Sequence, residues 1–212
     1  YDANTTIAVS GTGNLLNSFA GDTVAFASAF TPTSGTLNNK NVGTGKSITV
    51  NTTGVNLTGA DAANYAIDQG LTTATGTVTQ LQVVLGGLGG TQRVYDGTTA
   101  AALTGTATSS NTIAGDNLTV SGVVNAGTFV DKNAGVGKAF ASVNTSGLTL
   151  GGTDAGNYSV SLGKTNAVGT VTPLELIVSG LTGATRVYDA TTAITVSGTP
   201  TASNLVAGDV LS

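Results

Sequence analysis

Eleven carboxylates and seven basic side chains are all the charge this chain carries, and it has no His, Cys, Met or Trp. Ser and Thr are plentiful, but without His the central base of a triad is missing. Zinc, haem and iron–sulfur sites lose their usual ligands for the same reason. Calcium needs only carboxylates and carbonyls. It stays open through Asp22, Asp116 and Asp154, although no Asp-x-Asp-x-Asp loop gathers them. Lys132, Asn157 and Asp116 are the trio an intramolecular isopeptide bond would use, provided the acid is buried. Gly43-Thr44-Gly45-Lys46-Ser47 resembles the end of a phosphate-binding loop. The Gly that motif needs five residues before Gly45 is replaced by Lys40, so a Gly-rich turn with solvated lysines is expected instead.

The acids themselves explain why a reaction is not expected. All but Asp68, Asp131 and Glu175 stand in segments that the chain repeats. Tyr1-Asp2, Tyr95-Asp96 and Tyr188-Asp189 open three copies, 94 and then 93 positions apart. About twenty residues later comes Ala-Gly-Asp, ending at Asp22, Gly115-Asp116 and Asp209. Gly accepts positive φ and Asp can bond nearby N–H groups, so these read as turns. Next comes Lys40-Asn41-Val42-Gly43-Thr44-Gly45-Lys46, matched by Lys132, Gly135, Gly137 and Lys138 in the second copy. Asp61-Ala62-Ala63-Asn64-Tyr65 and Asp154-Ala155-Gly156-Asn157-Tyr158 follow. Residues that recur in every unit serve the folding of each unit better than one active site. No enzymatic activity and no cofactor are expected.

The elements that must position these residues are short strands. Alternating apolar residues such as Ile7 and Val9, or Ile48 and Val50, have period two. With 31 Gly, 40% hydrophobic residues and 8% charged, the composition favours strands and turns over helices. Leu81-Gln82-Val83-Val84-Leu85 and Leu174-Glu175-Leu176-Ile177-Val178 read as first strands of the units that follow them. On that cut, residues 80–172 are a complete repeat domain, 1–79 lack their first strand, and 173–212 begin a third, incomplete one. The expected fold is all-β, with tandem small antiparallel β-sandwich (Ig-like) domains in an elongated array and a β-grasp-like unit as the competitor. Tyr65 and Tyr158 would form the tyrosine corner of such sandwiches, ring inward and hydroxyl bonded to backbone. Ala3 and Ala190 stand where the second copy has Gly97, which implies that no special φ is required there. Tyr95 is expected to pack near Leu81–Leu85 at the junction with the preceding unit, and Asp96 to close the turn after it.

Net charge is −4 and the seven basic residues are scattered, which excludes a nucleic-acid surface. No run of 18 apolar residues could span a membrane as a helix, and the first residues, with no basic start before an apolar segment, are not expected to be a signal peptide.

The Tyr-Asp-Gly copies, the Lys-Asn-x-Gly-x-Gly-Lys turn and the Asp-Ala-x-Asn-Tyr corner closely resemble the YDG/MBG repeats of bacterial surface proteins. These are Gly-rich, mainly-β modules of filamentous-haemagglutinin-like adhesins, often exported by two-partner secretion. The resemblance implies a non-catalytic stalk or spacer of an extracellular, cell-surface or biofilm-matrix adhesin, whose partners are neighbouring repeats of the same protein. A module that binds polysaccharide, or associates with sister filaments, is the alternative.

Overall fold

The computed structural model describes residues 1–68, 70 and 72–211 and is all-β. The first repeat forms β1 (Thr6–Ala8), β2 (Ala25–Phe26), β3 (Ser34–Leu37), β4 (Gly43–Val50), β5 (Leu57–Thr58) and β6 (Thr75–Val78). The second begins with β7 (Leu81–Gly90), β8 (Gln92–Val94), β9 (Ala100–Ser109), β10 (Thr119–Gly122) and β11 (Ala126–Phe129). It continues with β12 (Gly135–Val143), β13 (Leu148–Gly151), β14 (Tyr158–Thr165) and β15 (Val168–Thr172). The remaining residues pair as a hairpin of β16 (Val178–Gly183) and β17 (Val196–Ala202). Single turns of 3-10 helix, Ala62–Asn64 and Ala155–Asn157, lead into Tyr65 and Tyr158. Among the described residues no helix is long and apolar enough to cross a membrane.

Contacts divide the chain into two compact units whose borders differ from those of the sequence repeats. One gathers Tyr1–Val83 with Asn111–Thr119 and Leu150–Ser159; the other gathers Val84–Ser110, Val120–Thr149 and Val160–Ser212. The first repeat thus shares its unit with two segments of the second.

In the first unit β1, β3, β4 and β6 lie side by side, every pair antiparallel. Period-two alternation sends Leu37, Ile48 and Val50 inward, where Ile7, Val9, Phe30, Ala74 and Val78 pack on them. The second unit is built on a larger sheet of order β14-β7-β9-β11-β12-β15-β8. Leu85, Leu103, Phe129, Phe140, Val143 and Val171 form its core, with the Phe129 and Phe140 rings 4.8 Å apart. One pairing departs from the antiparallel expectation: β8 lies parallel to β15, Val171 opposite Arg93. A parallel neighbour needs a crossover, and almost the whole second repeat intervenes between these two strands.

A paired bulge marks the β7–β9 contact, with a register shift between Gly86 and Leu88. Gly87 and Gly105 face each other there, both at positive φ (72° and 104°). A Cβ on Gly105 would stand 2.3 Å from the Gly87 carbonyl oxygen, so only glycine fits. The β16–β17 hairpin repeats the device, with a Cβ on Gly198 falling 2.2 Å from the Gly180 oxygen.

Candidate functional site

The repeat signature converges on Asp116, whose side chain is 1% exposed. Gly115, at φ 91°, lets the chain turn so that the Asp116 N–H donates to the Ile113 carbonyl at 3.1 Å. The carboxylate is thereby aimed at three donors. Tyr1 Oη donates to Oδ2 at 2.8 Å, Tyr158 Oη to the same oxygen at 2.7 Å, and Lys40 Nζ to Oδ1 at 2.7 Å. Tyr158 Oη in turn accepts the Ile113 N–H at 3.0 Å, so both hydroxyl functions of this buried residue are used. The Lys40 ammonium stands 5.8 Å from the centre of the Tyr1 ring, and the Tyr1 and Tyr158 rings meet edge to face at 5.6 Å. Val42 N–H donates to Asn157 Oδ1 at 2.9 Å, beside the carboxylate. Tyr1, Lys40 and Val42 belong to the first repeat, while Asp116, Asn157 and Tyr158 belong to the second. All lie in one compact unit.

The arrangement recurs one period later, inside the other unit. Lys132 Nζ donates to Asp209 Oδ1 at 2.7 Å and stands 5.7 Å from the Tyr95 ring centre. Asp209 N–H closes the same turn on the Val206 carbonyl at 3.1 Å. Tyr95, Lys132, Leu174, Val206 and Asp209 share the lining of a hollow of about 420 Å³. In the first repeat, Tyr65 Oη donates to Asp22 Oδ2 at 2.6 Å and accepts the Phe19 N–H at 2.9 Å, the same corner again.

Several expectations change on this geometry. Tyr95 faces Lys132 of its own copy and shares a hollow with Asp209 of the next, rather than packing back onto Leu81–Leu85. The Asp of Ala-Gly-Asp does not fold its carboxylate onto its own turn; the backbone closes that turn, which frees the side chain for Tyr and Lys. Ala3 and Ala190 keep the left-handed conformation of Gly97, with φ of 59° and 57° against 78°. The special φ is therefore retained at about 1–2 kcal/mol per alanine. What holds it is the Asp beside it. Asp96 Oδ1 accepts Thr98 N–H at 2.9 Å and Thr98 Oγ1 at 2.8 Å, and Asp189 repeats both bonds to Thr191. Arg93 and Arg186 brace these aspartates, as the expected turn closure requires. Tyr188 itself is 86% exposed.

The glycine-rich turns place Gly135 and Gly137 in a register shift of β12 against β15, with Gly137 at φ 67°. The second lysine of each turn is not a solvated end, whereas the Lys40 and Lys132 side chains stay 37% and 44% exposed. Lys46 is buried, and the Lys138 side chain is only 9% exposed, with Nζ on Asp131 Oδ1 at 2.6 Å. Asp154 Oδ2 accepts Asn117 N–H at 2.9 Å, and its other oxygen lies 4.0 Å from Lys40 Nζ. The isopeptide trio is not assembled. Lys132 is on Asp209, Asn157 on Val42, and Asp116 on Lys40. Asp116 and Asp154 share a lysine while Asp22 binds Tyr65, and among the described residues no three acids come together as a metal would need.

The electrostatics of the clasp follow from its contacts. Lys40, then Tyr158, hold the Asp116 carboxyl below the usual carboxylate range, and Asp116 raises Lys40. Lys132, with the Tyr95 hydroxyl contributing, lowers Asp209 in the same way. Burial, followed by the Asp116 carboxylate, raises the Tyr1 phenol. An aspartate whose folded pKa is depressed adds stability above its unfolded value of 3.8 and loses it as pH falls through the folded value. A raised lysine or tyrosine adds stability below its unfolded value of 10.5 or 10.0 and loses it as pH rises through the folded one. Melting temperature should therefore be flat between about pH 5 and 9 and fall on both sides. Asp116→Asn should flatten the acid limb in a calorimetric pH series. An unchanged acid limb would remove Asp116 from the clasp.

All-β architecture and a signature that meets its own next copy define a tandem-repeat β protein. A family model for the YDG domain matches residues 1–76 and again 77–167, and the chain belongs to the YDG domain family. Comparisons with curated proteins and with solved structures gave no match.

Proposed function

We propose that this chain is a run of structural spacer repeats from a large bacterial cell-surface or biofilm-matrix adhesin, without a catalytic residue. The observation that supports this is where the signature residues go. Tyr1, Lys40 and Asp116, then Tyr95, Lys132 and Asp209, are engaged in holding one repeat to the next. Here the most polar, most repeated side chains bond one another, as a load-carrying junction requires.

In this reading each repeat is a small Ig-like sandwich, and the array is elongated and extracellular. Tyr158 supports the sandwich comparison because its buried hydroxyl bonds the backbone at Ile113, as a tyrosine corner does. The filamentous-haemagglutinin-like setting rests on the resemblance of the motifs.

A glycan array, backed by pull-down on bacterial polysaccharides with the whole chain, tests the spacer reading against the binding-module alternative. No saturable binding is expected. Reproducible saturable binding to any one polymer would overturn the spacer reading.

A further inference from the structure

The two ends of the second repeat are bonded to each other. β8 begins one residue after β7, and β15 ends just before Pro173. They run parallel, with Gln92, Arg93 and Val94 opposite Thr170, Val171 and Thr172. Tyr95 N–H extends the pairing to the Thr172 carbonyl at 2.9 Å, and Thr172 Oγ1 donates to the Arg93 carbonyl at 3.3 Å. Both strands lie in one compact unit. The first repeat closes in the same way, with the Tyr1 nitrogen 2.7 Å from the Thr79 carbonyl oxygen.

Strand direction decides what this pairing does under load. Because the strands are parallel, the chain enters β8 at one end of the pair and leaves β15 at the other. Tension along the chain therefore drives the two strands past each other along their own axis. The bonds of the ladder cross that axis, so they load together and fail together. An antiparallel pair in the same place would have both chain ends at one pole and would open bond by bond. Detaching β7 first frees only the ten residues ahead of Thr91. Everything between Tyr95 and Thr172 stays closed while β8 holds.

β8 is also held against sliding by a side chain. Arg93, whose side chain is 19% exposed, sets its guanidinium 6.0 Å from the centre of the buried Phe129 ring. The same group donates to Asp96 Oδ1 and to the Thr98 carbonyl. Opposite Arg93 stands Val171, 1% exposed. Moving β8 along β15 must draw the cation off its ring and off the Tyr-Asp-Gly turn, and must uncover Val171. We propose that β8 and β15 form a shear lock that makes the repeat resist extension by force, with Arg93 and its turn as the stop. The use of such a lock rests on the spacer reading; its existence does not.

The test is single-molecule stretching of the whole 212-residue chain, which has no cysteine of its own. Cysteine pairs place the handles in two geometries. Thr91→Cys with Pro173→Cys loads the strand pair along its axis. Val94→Cys with Pro173→Cys pulls apart residues at one end of the pair, since Val94 stands opposite Thr172. Val94 is 53% exposed on the outer strand of its sheet, so that handle leaves the core untouched. Opening should release about 25 nm of chain in either geometry, residues 95–171 at about 3.3–3.6 Å each. The axial geometry should need at least about twofold more force at the same loading rate. Equal forces, or axial opening without that step, would overturn the lock and leave the spacer reading in place. Saturable polymer binding would do the reverse.

Discussion

Leu85→Ala should cost about 2–5 kcal/mol, the range for deleting a fully buried leucine side chain. Leu85 is 0% exposed, on a strand with a hydrogen-bonded neighbour on each edge. Its carbonyl accepts Thr165 Oγ1 at 2.8 Å and Asn166 N–H at 3.3 Å, so the backbone on both sides resists collapse into the space left behind. Against a total of about 5–15 kcal/mol for a domain, that is a large share. A urea series followed by circular dichroism should show the midpoint falling at unchanged slope. Leu16→Ala serves as control, because Leu16 is 72% exposed and should shift stability by less than about 0.5 kcal/mol. Equal shifts for the two leucines would mean that β7 does not carry the core of its unit.

Tyr158→Phe is expected to cost about 1–3 kcal/mol. The sequence suggests one hydroxyl bond to backbone. The structure has two, one of them to a carboxylate, and both in a residue 2% exposed. Phenylalanine keeps the ring contact with Tyr1 but strips Ile113 N–H of its acceptor and Asp116 of one of three donors. The same denaturation series reads it out. Tyr65→Phe, at a corner open to solvent, should cost visibly less because water can replace the lost partners. No shift from Tyr158→Phe would rule out the corner.

How much of this was legible in the sequence depends on whether the deciding contact was local. Asp96 and Asp189 bond the residue two positions on, and the turn chemistry of Tyr-Asp-x-Thr announces it. Tyr158 was legible because the corner pattern is short and its ring fills its own core. The clasp was not. Lys40 meets Asp116 across 76 positions, and Gly-Asp looks like a turn whether its carboxylate closes that turn or leaves it. Ala3 and Ala190 misled for a related reason: substitution of the glycine suggested a relaxed backbone, whereas the preceding Asp, bonded to the N–H of Asn4 or Thr191, imposes the strained one. The parallel pairing of β8 with β15 joins the two ends of one repeat, and no local period encodes it.

The clasp gives the array a direction and a unit of growth. Each copy offers Tyr and Lys ahead and Asp behind, a head-to-tail contact rather than a self-matching one. Duplication or loss of one period, 94 or 93 residues here, leaves every Lys facing an Asp. Unequal recombination between copies can therefore lengthen or shorten such a protein in whole steps without leaving an unmatched charge. Loss of a fraction of a period would strand a buried aspartate. Copy number can change in this way with the chemistry of the joint held fixed.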